Sequence, residues 1–153
     1  MDRIAKFEKV SEDQFKEQDK IKLPVRATAG SAGYDIITPY DIDLRPGETL
    51  TVATGLRCRI ARGWVLFILP KSGLGFKFRV QLDNTVGVID SDYYNADNEG
   101  HIMVKITNDG KEGKTLHVDA GKAFAQGVFL PFGITEDDEV TAERHGGFGS
   151  TNA

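Results

Sequence analysis

The sequence predicts an all-β sandwich or barrel, and three observations carry that prediction. Apolar residues recur with a period of two in many short runs, among them Leu56, Cys58, Ile60 and Ile102, Val104, Ile106. Glycine-rich turns separate the runs. No stretch sustains a helical period beyond a turn or two. At 153 residues the chain fits one domain, and a domain of that size buries roughly 68 to 70% of the surface its unfolded chain exposes.

Taken in order, Ile4, Phe7, Val10 and Phe15 among many charges suit a short edge strand followed by a polar helical turn. Gly30 and Gly33 mark a bend before Tyr34-Asp35-Ile36-Ile37 resumes a strand. Asp41 to Leu44 leads into Arg45-Pro46-Gly47-Glu48, with Pro and Gly where a turn prefers them. Leu50 and Val52, then Leu56 to Ile60, then Trp64, Leu66 and Ile68 alternate, broken at Gly55 and Gly63. Asp83 to Tyr93 is an apolar run interrupted by Asn84 and Gly87. A glycine inside a strand marks a bulge or a place where a ligand nears the backbone. Asp90 and Asp92 leave that strand on one face, as residues two apart do. Gly110 to Thr115 reads as a charged hairpin turn, Leu116 and Val118 alternate, and Phe124 to Phe132 reads as a largely buried strand. The chain then turns acidic and closes on a glycine-rich tail that cannot pack a core of its own and suits a segment that orders over something else. The expected division is a domain over 1–143 and an arm over 144–153.

Composition narrows the function. A net charge of −4 gives no general attraction for nucleic acid or an anionic membrane, so any polyphosphate must be bound locally. The single cysteine cannot form an internal disulfide. With no signal peptide or long apolar span, the expected location is a reducing cytoplasm. Cys58, inside an alternating run, reads as a small buried hydrophobe. Two motifs mislead. Gly110-Lys111-Glu112-Gly113-Lys114-Thr115 ends like a phosphate-binding P-loop, but Asn108 stands where its first glycine belongs. Asp90 to His101 looks like a calcium loop, but Asn95 and His101 replace its glycine and its final glutamate. His101, His117 and His145 have neither metal-ligand spacing nor a partnered nucleophile.

Three stretches suit polyphosphate chemistry. Pro70-Lys71-Ser72-Gly73-Leu74-Gly75 combines a cation, a hydroxyl and a backbone free to turn, the parts of an anion-binding nest. Gly121 to Gln126 brings one amide side chain into a buried strand, and the tail supplies Arg144, two hydroxyls and one aromatic. These occur in order with Ala32-Gly33-Tyr34-Asp35-Ile36, with Gly87-Val88-Ile89-Asp90-Ser91-Asp92-Tyr93 and with Gly146-Gly147-Phe148-Gly149-Ser150-Thr151. Together they closely resemble the five motifs of the trimeric dUTPases, from about Leu23 to Thr151.

That resemblance implies a jelly-roll-like β-barrel of the β-clip type, assembled as a homotrimer with an exchanged C-terminal arm. It implies hydrolysis of dUTP to dUMP and pyrophosphate with Mg2+, which limits uracil in DNA and supplies dUMP for thymidylate synthesis. By likeness, Asp90 holds and activates the water that attacks the α-phosphorus, and Tyr93 lies against the deoxyribose with no room for a 2′-hydroxyl. Asn84, Gly87, Val88, Ile89 and the backbone near Met103 line the uracil slot. Lys71, Ser72, Gly73 and Gln126 form the phosphate cradle, and Asp35 helps hold magnesium through its waters. Phe148 and Gly149 cap the base, while Arg144, Ser150 and Thr151 take the γ-phosphate in a neighbouring subunit's site. The chain departs from the pattern at Lys71 and Ala123, where arginine is usual, at Arg144, one residue closer to Phe148, and in the expanded loop Tyr94 to Gly100.

Two rival readings stand beside this one. The related dCTP deaminases rely on a glutamate near the position of Lys105. A non-enzymatic role would have a protein partner bind the loop Asn95 to Glu99.

Overall fold

Strands form along the alternating runs, with two further short ones at Val25–Arg26 and Val80–Leu82, and every pairing among the described residues is antiparallel. The computed structural model describes residues 1–147. In chain order its strands are β1 Ala5–Lys9, β2 Val25–Arg26, β3 Tyr34–Ile37, β4 Ile42–Leu44, β5 Thr49–Ala53 and β6 Leu56–Ile60. There follow β7 Trp64–Pro70, helix α1 Ser72–Phe78, β8 Val80–Leu82, β9 Gly87–Ile89, β10 Met103–Asn108, β11 Leu116–Val118 and β12 Ala123–Pro131. The largest sheet runs β2-β3-β12-β7-β9, and smaller ones pair β5-β10-β8, β1-β6 and β11-β4, giving a jelly-roll-like β-barrel. No helix among the described residues is long and apolar enough to cross a membrane.

The alternating residues are the core. Leu56, Cys58 and Ile60 point inward from β6, and Ile102, Val104 and Ile106 do so along β10. Leu44 faces Leu116 and Ile42 faces Val118 across β4 and β11, all four buried. Burying one such aliphatic side chain contributes roughly 1.5 to 3 kcal/mol, so the alternation stabilises the sheets that carry it. Burial pushes the Cys58 thiol up to about 12, in keeping with a packing role.

Four expectations need correction. The segment after Pro70 is a helix, α1, closed by Arg79 in the left-handed region (φ 49°). Gly73 and Gly75 each cost about 1 kcal/mol against alanine in a helix, which hides it from a periodicity reading; Leu74 and Phe78, one helical turn apart, dock it on the core. Gly110 to Thr115 is not a hairpin, because β10 pairs with β5 and β8 whereas β11 pairs with β4. Buried Asn108 organises that crossing: its Nδ2 donates to the Leu44 and Lys114 carbonyls, and its Oδ1 accepts from the Gly110 amide. The segment Phe124 to Phe132 is buried only in its first half, since Leu130 and Phe132 are exposed. Gly87 does not break its strand; it opens β9 in register with Ile68, and the bulge lies instead between Ala123 and Ala125 of β12.

Candidate active site

Strand β9 lies on the edge of β7, with Gly87 against Ile68 and Ile89 against Leu66. The missing side chain at Gly87 permits this approach, since a Cβ there would fall 3.0 Å from the Ile68 Cβ. The chain then leaves the sheet at Asp90, which precedes a 3-10 turn over Ser91–Asn95. That turn, rather than strand alternation, brings Asp90 and Asp92 side by side. The Arg144 guanidinium forks between them, Nη2 donating to Asp90 Oδ2 at 2.6 Å and Nε to Asp92 Oδ1 at 2.7 Å. Arg144 is 14% exposed, whereas the two carboxylates are about half exposed. Charge-assisted bonds of this kind are roughly twice as strong as neutral ones.

Tyr93, in the same turn, is buried. Its hydroxyl donates to the His101 carbonyl at 2.6 Å and accepts from Asn98 Nδ2 at 2.9 Å. Burial raises its pKa. The arm lies on this ring: a Cβ at Gly147 would meet Tyr93 Cε1 at 2.6 Å, and the His145 carbonyl accepts from the Asp97 amide at 2.8 Å. Through Gly147 the arm lies over the cleft of its own chain. Phe148, Gly149, Ser150 and Thr151 lie outside the described residues.

These groups surround a cavity of about 770 Å3, which Asn84, Gly87, Val88, Ile89, Asp90, Tyr93, Met103 and Arg144 all line. Thr51, Asp83 and Lys105 line it too and were not expected there. Thr107 donates to Asp83, and Lys105 lies 3.6 Å from the same carboxylate. Asp83 comes with its neighbour Asn84, whereas the pairing of β10 with β5, which no local pattern announces, brings Thr51 to the cleft beside Lys105.

The expected phosphate cradle is elsewhere. Asp35 on β3 faces Gln126 on β12, Gln126 Nε2 donates to the Pro70 carbonyl at 3.0 Å, and the Lys71 ammonium pairs with the Asp35 carboxylate. Lys71 and Ser72 line a separate shallow groove with Phe76, while Gly73 stands open beside them in the first turn of α1. Leu66, level with Ile89, is five residues before Lys71 along β7, or roughly 16 Å at about 3.3 Å per residue. Within one chain Lys71 and Asp90 lie beyond opposite ends of the pairing of β7 with β9.

No group of three or more His, Cys, Asp or Glu side chains among the described residues could hold a metal ion. Asp35 is a partly exposed carboxylate, paired with the Lys71 ammonium, beside the residues expected to hold phosphates. That donor set fits magnesium in one form, an ion that keeps its waters and is carried chiefly by phosphates. The loop Asn95 to Glu99, the surface that a protein partner would use in the rival reading, is anchored on its own chain. Ala96 is buried, and Glu99 accepts bonds from the Ser11 amide and hydroxyl.

The dUTPase family model matches residues 19–152. The deoxyuridine 5′-triphosphate nucleotidohydrolase of Lactococcus lactis is 42% identical over 136 residues, 87% of this chain and 89% of that one. The enzyme of the same name from Pectobacterium carotovorum is 44% identical over 135 residues, covering 83% of this chain and 84% of its own. The crystal structure of the Streptococcus mutans dUTPase superposes with a TM-score of 0.72 at 36% identity, over 85% of this chain and 98% of that one. A phage phi11 dUTPase superposes with a TM-score of 0.69 at 21% identity, over 92% of this chain and 98% of that one, and supports the fold alone.

Proposed function

The chain belongs to the dUTPase family and hydrolyses dUTP to dUMP and pyrophosphate; from that premise we propose that the cleft around Asp90 is where the bond breaks. The single observation that carries this reading is the meeting of Asp90, Tyr93, Asn84 and Met103 around one cavity of substrate size.

The uracil enters between the β9 backbone and Met103. The Asn84 amide, with both a donor and acceptors, is suited to read the base edge. A methyl group at the 5-position is crowded by the same walls, because the Gly87 backbone has no room to retreat from Ile68. The sugar lies on the Tyr93 ring. Asp90 positions a water against the α-phosphorus and takes its proton as the P–O bond to the departing pyrophosphate breaks. For this the fork must open, so Arg144 exchanges the Asp90 carboxylate for a phosphate oxygen of the substrate, the γ-phosphate by likeness. Phe148, Gly149, Ser150 and Thr151 complete the cover in this reading.

Lys71, Ser72, Gly73 and Gln126 bind the phosphate chain from a neighbouring copy in a homotrimer, a role supported by the roughly 16 Å of strand between Lys71 and the level of Ile89, the residue before Asp90, within one chain. Asp35 would hold magnesium through its waters; bound there, the ion neutralises phosphate charge. The phage phi11 dUTPase is described with a structural Mg(II) ion. A cytoplasmic location belongs to the same reading, supported by the lone Cys58 thiol with no disulfide partner in the chain.

Incubating the protein with dUTP, dTTP, dCTP and UTP and measuring pyrophosphate tests the reading. Release from dUTP far above the other three is expected, and comparable release from dTTP would defeat the slot. Deamination of dCTP is disfavoured because Lys105 stands in the cleft wall paired with Asp83; ammonia released from dCTP would reinstate it.

A further inference from the structure

We propose that Asn98, in the expanded loop, is a positioning residue that sets the Tyr93 ring against the sugar and thereby sharpens discrimination between dUTP and UTP. The proposal rests on the reading of Tyr93 as the sugar wall.

The hydrogen bonds around Asn98 admit one proton arrangement. The Gly100 amide can only donate, and it lies 3.1 Å from Asn98 Oδ1. That fixes Oδ1 as the oxygen and turns Nδ2 toward the Tyr93 hydroxyl at 2.9 Å. The hydroxyl must then send its own proton to the His101 carbonyl, which can only accept. The Tyr93 oxygen is thus held from two directions in a buried place. Both bonds oppose a tilt of the ring that would make room for a 2′-hydroxyl.

The frame behind Asn98 is itself fixed. Gly100 has φ +70°, and a Cβ there would meet the Tyr93 carbonyl oxygen at 2.5 Å, so the loop returns directly across the tyrosine backbone. On the far side, Ser11 gives its amide and hydroxyl to the Glu99 carboxylate. Arg57 lies 3.6 Å over the Tyr94 ring and donates to the Tyr94 carbonyl at 2.6 Å, while the Tyr94 hydroxyl donates to Glu8. The insertion is tied to β1, to Ser11 and to β6, and Asn98 transmits that rigidity to the one ring that faces the ribose.

The test is a double-mutant cycle on kcat/KM for dUTP and UTP. Asn98→Ala is expected to lower the dUTP to UTP ratio roughly tenfold, the loss expected for one buried hydrogen bond. Tyr93→Phe, which keeps the ring and removes its tether, should lower it about as much. If Asn98 acts through the hydroxyl, the double variant should be no worse than Tyr93→Phe alone. An unchanged ratio in Asn98→Ala, or additive losses in the double variant, would overturn the proposal. Asn98→Ser, polar but too short to reach the tyrosine oxygen, gives the same reading should the alanine variant fail to fold. Tyr93→Ala separates the two layers: an unchanged ratio there sinks the sugar-wall reading itself, whereas a collapsed ratio with Asn98→Ala unaffected sinks only the positioning role.

Discussion

Asp90 and His117 show how differently two charged clusters on one molecule behave. Asp90→Asn keeps the shape of the side chain and an acceptor for Arg144, but removes the basicity that the attacking water needs. Turnover of dUTP should fall about 10²- to 10⁴-fold with the fold intact by circular dichroism, and near-normal turnover would shift the role to Asp92. His117 lies between Asp43 and Asp119, each 2.6 Å from a ring nitrogen, and these bonds raise its pKa from 6.5 to about 9. A raised folded pKa means that its contribution to stability is complete below about pH 6.5 and is lost as pH rises through about 9. Melting temperatures from pH 6 to 10 should show that loss in the parent and a flatter profile in His117→Ala; parallel profiles would refute it. The place of Asp90 in the cleft was legible in the sequence from its motif. The setting of His117 was not, because Asp43 is far away in sequence and arrives only through the pairing of β11 with β4.

Between residue and fold stands the contact of β9 with β7, which decides both strand packing and slot width. Gly87→Ala should force the Ile68 side chain or the whole strand to yield, and overpacking of this kind costs about 1 to 3 kcal/mol. Urea unfolding should register the cost, and KM for dUTP should rise because β9 is the slot's wall. A variant with unchanged stability and KM would show that the cleft has slack that this close packing does not suggest. Strand elements were legible wherever one face is buried: the alternation in β6, β10 and β11 marks core positions directly. Helix α1 was not, since two glycines erase its period, and the connection over Gly110 to Thr115 looked like a hairpin because local turn chemistry does not say which strand will be the partner. The side-by-side carboxylates were anticipated for the wrong reason, strand alternation, where a 3-10 turn does the placing.

For the whole molecule, the separation of Lys71 from Asp90 makes a subunit-mixing experiment decisive. Asp90→Asn and Lys71→Ala proteins, each weak alone, should regain activity when unfolded together and reassembled, because some composite sites then receive an intact Asp90 from one chain and an intact Lys71 from another. No recovery above the sum of the parents would mean that one chain supplies both. That Asp35, Lys71 and Gln126 would lie together was legible in the motifs, but the distance of Lys71 from Asp90 was not, since motif order carries no information on which end of a ladder each motif occupies. Cys58 adds a use that has nothing to do with catalysis. A solitary thiol held at about 12 by burial carries almost no thiolate while β1 covers β6, and returns toward about 8.5 once solvent reaches it. Alkylation at pH 8 then proceeds almost wholly through transient openings, so its rate, divided by the rate in urea, reads out how often this edge of the barrel breathes. The protein carries its own clock for that motion; labelling as fast in buffer as in urea would show that the clock face is open all the time.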